Sequence, residues 1–145
     1  MDNTRGKQEV NGARAAVLAG LAVAVILCGG DHPDLLLYAW VPQALLLVVM
    51  FLIGARPAAV GGAAFALTVF LGYFNWWVHE YAANDGLAWL LYLFSLPGGL
   101  VAGIVVALRL DRLDGRTPLD AGLAAATWVI AGIAFNHVAW YALMA

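Results

Sequence analysis

The chain has 145 residues, 64% of them hydrophobic and 11% charged, with a formal net charge of −2. Soluble domains carry about 25% charged residues, so this composition excludes an ordinary soluble fold. The lack of a basic patch excludes a nucleic-acid partner. A single cysteine, Cys28, excludes an internal disulfide, a CxxC redox pair and any multi-cysteine metal site.

Residues 1–12 read as a polar cytoplasmic tail, followed by one membrane domain over 13–145. Arg5, Lys7 and Arg14 ahead of a short apolar run imitate a signal peptide. Leu27 stands where lipoprotein processing at Cys28 would need a small residue, and no Ala-x-Ala site follows. The run over 13–30 is therefore expected to stay as a first transmembrane helix, with Cys28 an apolar packing residue near its outer end.

Further apolar runs cover about 35–53, 58–78, 87–108 and 121–144. Each approaches the roughly 20 residues needed to cross a hydrocarbon core about 30 Å thick. Backbone polar groups in lipid must be satisfied within the segment, and the runs lack the alternation of barrel strands, so helices are expected. The fold class is an all-α integral membrane protein, a compact bundle of five helices. Boundary residues agree: Thr117-Pro118-Leu119-Asp120 supplies a capping hydroxyl, a first-turn Pro and a carboxylate, and Arg56-Pro57 makes a tight turn. Connections this short predict that consecutive helices are antiparallel neighbours.

Charge fixes the expected orientation. All seven Lys and Arg fall before the first run, between the second and third, or between the fourth and fifth. The other two loops hold Asp31, Asp34, Glu80 and Asp85 and no cation. By the positive-inside rule the N-terminus is cytoplasmic and the C-terminus outside, as in a multi-pass protein of the bacterial inner membrane. Tyr38, Trp40, Trp76, Trp77, Tyr81, Trp89, Tyr92, Trp140 and Tyr141 are expected to form an aromatic belt at the outer boundary.

Three features could carry chemistry. The first is an outer polar cluster: Asn75 and His79 one turn apart on the third helix, Asn136 and His137 on the fifth, and Asp31, His32 and Glu80 in the outer loops. Histidine with carboxylate is competent for a divalent metal, and a bis-histidine haem between His79 and His137 is the sharpest version. The alternative is structural, with interfacial histidines and helix-bridging asparagines. No ligand-spaced motif such as H-E-x-x-H occurs, so no cofactor is assigned.

The second feature is Pro97-Gly98-Gly99 in the fourth helix, with Gly99 and Gly103 forming a G-x-x-x-G. Pro removes a backbone donor, predicting a kink that either packs or lines a substrate path. Pro42-Gln43 in the second helix is similar, and buried Gln43 is expected to find a partner on another helix, near Ser95. The third feature is an absence: no charged residue lies deep in a span, which disfavours ion-coupled transport. Ser95, the only serine, is expected at the midplane, distant in depth from every histidine, which disfavours hydrolysis.

The leading expectation is a non-catalytic protein that binds another membrane or membrane-active protein. It would be an accessory subunit of a membrane complex or an immunity protein against a pore-forming toxin. Helix faces with Gly61, Gly62, Ala63 and Ala66, and with Ala124, Ala125 and Gly132, are expected to be open to that partner. Two alternatives remain: a small-solute or ion conduit, which would have to oligomerise, and a metal- or haem-handling subunit using His79 and His137.

Overall fold

The computed structural model describes residues 3–28, 33–81, 88–110 and 117–144. They form α1 (Asn3–Cys28), α2 (Pro33–Leu52), α3 (Pro57–Tyr81), α4 (Ala88–Val105) and α5 (Pro118–Met144), with no strand among them. A π-helical turn, Val106–Leu110, continues α4. Four helices are long and apolar enough to cross a membrane, and α2 adds a shorter apolar stretch, Leu37–Leu52. The chain is thus an all-helical bundle suited to a multi-pass membrane protein.

The helix ends follow from local chemistry. At the start of α5, Thr117 and Asp120 form a reciprocal cap. The Asp120 amide donates to Thr117 Oγ1 at 3.2 Å, and the Thr117 amide donates to Asp120 Oδ2 at 3.3 Å. Pro118 occupies the first helical position, where no amide is missed. At the end of α2, Gly54 adopts a left-handed φ of 81°. The Ala55 amide then reaches Met50 O and the Gly54 amide reaches Phe51 O, each at 3.0 Å, which closes the helix in a Schellman motif. Arg56 O at once accepts from Ala59 and Val60, starting α3 behind Pro57.

Residues 3–12, expected as a tail, are helical instead and belong to α1. An ion pair of 3.1 Å between Glu9 and Arg56 ties this first part to the start of α3.

The packing order differs from the chain order. The most extensive contacts run α1 on α3, α3 on α5 and α5 on α4, while consecutive α2 and α3, and α3 and α4, touch far less. The expectation of consecutive neighbours holds for α4 and α5 and is corrected for α3, which packs mainly on α1 and α5 rather than on α2 and α4. The cause is side-chain size: in lipid no hydrophobic force draws helices together, so backbones approach most closely where residues are smallest. A Cβ on Gly62 would lie 2.0 Å from Gly122 O, and one on Gly98 would lie 2.1 Å from Gly132 O. These are two glycine-on-glycine crossings, both on α5. Gly61 lies against Ala13, and Gly20 against Thr68, so α1 and α3 run parallel. Leu46 contacts Gly99 and Met50 contacts Gly103, so α2 and α4 also run parallel. Ser95 meets His137 while Gly98 meets Gly132, which makes α4 antiparallel to α5.

The G-x-x-x-G of α4 therefore receives the Leu46 and Met50 side chains, while the backbone crossing uses its neighbour Gly98. Alpha-helical assignment runs unbroken through both Pro42 and Pro97. The faces expected to be open to a partner are mostly spent inside the molecule. Ala63, Ala66 and Ala125 are fully buried, and Gly61, Gly62 and Gly132 sit under neighbouring helices.

Candidate functional site

Polar groups gather along one face of α4. Gln43 and Ser95 are the two buried polar residues among those described, 3% and 1% exposed. Gln43 does bridge to α4, although its partner is Tyr92, one turn before Ser95. Gln43 Nε2 donates to the Tyr92 hydroxyl, which donates in turn to Ala39 O at 3.0 Å. The Tyr92 ring stacks on Phe70 with centroids 5.3 Å apart and meets Phe74 at the same distance. This explains a correction to the aromatic belt. Tyr92 is completely buried, and Trp77 and Trp89 pack against Phe74 in the core. Tyr38, Trp76, Tyr81 and Tyr141 are exposed on the outside of the bundle.

Ser95 corrects a second expectation. Its Oγ lies 2.7 Å from His137 Nδ1, so the only serine and a histidine are direct partners. Ser95 is seven residues from Ala88 and His137 seven from Met144. Both thus sit about 10 Å from the same end of the bundle at 1.5 Å per residue. Ser95 Oγ donates to Leu91 O at 2.7 Å, and with its proton placed there it accepts from His137 Nδ1 in the tautomer that carries a hydrogen on that nitrogen. A general base would have to accept that proton instead.

The predicted outer cluster divides between two sides of the bundle. Asn136 lies beside His137 on the α4 side and donates from Nδ2 to Phe94 O. Trp140, one turn further on, stacks on Phe94 with centroids 4.4 Å apart, and its Nε1 is buried without a partner among the described residues. Asn75 follows Gly61 and Thr68 at intervals of seven residues, which keeps it within about 20° per step on the stripe facing α1. Its Oδ1 is likewise buried and unpartnered among the described residues. His79 takes Asn75 O of its own helix as acceptor for Nδ1 at 2.8 Å, and both His79 and Glu80 are exposed. Asp31 and His32 lie outside the described residues. The structure therefore joins His137 and Asn136 to α4 and joins His79 to Asn75.

No group of three or more His, Cys, Asp or Glu suited to a metal occurs among the described residues. His79 and His137 each engage Nδ1 with a protein oxygen, and neither Nε2 has a partner among the described residues.

Surface grooves are the remaining feature. One of about 500 Å³ runs between α4 and α5, lined by Gly98, Ala102, Trp128, Ala131, Gly132 and Phe135, with Pro97 and Asn136 at its end. Pro97 faces outward there, so the Pro-Gly segment borders an external groove. Sequence reasoning missed Tyr92 and the Ser95–His137 pair. The usable signal was the antiparallel register: once Gly98 opposes Gly132, one turn towards the chain start on α4 opposes the next turn of α5. No family model, curated protein or solved structure matches the chain.

Proposed function

We propose that the chain is a five-span protein of the bacterial inner membrane, N-terminus in the cytoplasm and C-terminus outside. It acts without catalysis by binding another membrane or membrane-active protein. An accessory subunit and an immunity protein both fit that description. Support for the orientation comes from combining helix direction with charge. α1, α3 and α5 begin, and α2 and α4 end, at one end of the bundle, where Lys7, Arg14, Arg56 and Arg109 lie.

The single observation behind the binding role is the α4–α5 groove, floored by glycine and alanine and walled by Trp128 and Phe135. Small residues let a helix of another chain approach closely, and Asn136 at the groove's end offers a polar contact inside lipid. The conduit reading has less to recommend it, because Pro97 borders this outer groove and Gly98 is closed against Gly132. The Ser95–His137 bond, with the imidazole donating, favours structure over hydrolysis.

A photo-crosslinking residue at Ala131 or Val101 in native membranes tests the role. Both positions should give an adduct with a second protein, Leu45 on α2 should give none, and Val101→Trp should abolish the Ala131 adduct. Labelling of lipid alone at all positions would reject the proposal. So would ion flux or a stoichiometric metal in the purified protein that His79→Ala removes.

A further inference from the structure

We propose that the groove between α1 and the α2–α3 turn is a binding site for an anionic phospholipid. The groove measures about 530 Å³ and is lined by Val10, Val17, Leu18, Phe51 and Val60, with Arg14 at its edge. Ligand pockets typically span about 300–1,000 Å³, so the volume suits a substantial part of one lipid chain.

Its polarity is that of an amphiphile. Lys7 and Arg14 are seven residues apart on α1, within about 20° of one face and about 10 Å along the axis. Both are exposed. Val17 and Leu18 follow on the same helix, further from the cationic end. A phosphate held at Arg14 and Lys7 would leave the acyl chain over Leu18, Phe51 and Val60. Leu18 and Phe51 are 64% and 73% exposed, so the groove offers apolar surface for the chain to cover.

Among the described residues this charge is not neutralised from within. Glu9, the nearest acid in sequence, pairs with Arg56 at 3.1 Å and lines a different groove between α1, α3 and α5. Among the described residues no acid pairs with Arg14. An arginine presents a fork of donors that matches phosphate oxygens, and Lys7 adds a second positive charge two turns away on the same face of α1. A lipid phosphate is favoured over a free one because Arg14 sits at the edge of an apolar groove. The site rests on the membrane reading, with the cations in the inner leaflet.

The test is native mass spectrometry of the full chain released from micelles containing either phosphatidylglycerol or phosphatidylcholine. A cation near the membrane surface contributes about 1 kcal/mol, roughly fivefold in binding. Phosphatidylglycerol adducts should exceed phosphatidylcholine adducts, and Arg14→Gln should reduce that preference roughly fivefold. Val17→Trp, which fills the groove and keeps both cations, should reduce adducts of either lipid. Inorganic phosphate at millimolar concentration should not displace the lipid. Equal retention of the two lipids, or a preference untouched by Arg14→Gln, would overturn the site. So would displacement by inorganic phosphate. Carbonate extraction of the same protein from membranes reports separately on the membrane reading.

Discussion

The α4–α5 crossing makes a quantitative prediction. A Cβ on Gly132 would stand 2.3 Å from Gly98 O and 2.8 Å from the Ala102 Cβ. Neither obstacle is the flexible end of a side chain, so Gly132→Ala must separate the two helices by about 1 Å to restore ordinary contact. A gap of that size forfeits roughly a quarter to a half of each dispersion contact along the interface. Overpacking of this kind costs about 1–3 kcal/mol, while replacing Gly by Ala inside a helix returns about 1 kcal/mol of propensity. The expected net loss is about 0–2 kcal/mol, set against the propensity gain expected of a Gly→Ala change that meets no obstacle. Gly72→Ala is the control, because a Cβ there meets nothing within 4 Å and should be neutral or slightly stabilising. Unfolding in mixed micelles, followed through the six tryptophans, reads both variants. Gly98→Ala should destabilise similarly, and the double variant should cost less than the sum, since either methyl already parts the backbones. If Gly132→Ala proves as stable as Gly72→Ala, the crossing is not as close as described and the packing argument fails.

Other variants probe the polar contacts. Tyr92→Phe should destabilise by about 1–2 kcal/mol, because it leaves the buried Gln43 amide without its acceptor. Adding Gln43→Leu to Tyr92→Phe should recover much of that loss in the same unfolding assay. Ser95→Ala should cost about 0.6–1.7 kcal/mol, the range of hydrogen bonds between membrane helices. It should also perturb the His137 imidazole resonances in NMR spectra, whereas those of His79 stay unchanged. Thr117→Ala removes the reciprocal cap and should cost about 1 kcal/mol, seen as faster amide exchange in the first turn of α5.

Element positions were legible because composition and caps are local properties. Pro118 behind Thr117, Pro57 behind Arg56 and the apolar runs between them fix helix ends without reference to the rest of the chain. Packing order was not legible, because it depends on which faces bring glycines opposite each other, and that is a pairwise property. Gly62 and Gly122 are sixty residues apart, and neither carries a mark naming the other. The same limit explains the polar residues. Gln43 visibly needed a partner, yet the choice of Tyr92 over Ser95 turned on a phenol long enough to reach across from α4. The Ser95–His137 pair was hidden by an assumed midplane depth for Ser95. Ser95 lies seven residues from the start of α4, and His137 lies seven from the end of α5, so the two share one level. Asn75 and His79 were correctly placed one turn apart, but helical rotation puts them on the stripe facing α1, away from His137.

The account depends most on a chain that crosses the bilayer an odd number of times, beginning among the arginines. Epitope tags at Met1 and Ala145, probed with protease in intact and permeabilised spheroplasts, test this directly. The Ala145 tag should be cleaved in intact spheroplasts, and the Met1 tag only after permeabilisation. Cleavage of both tags, or of neither, before permeabilisation would contradict it.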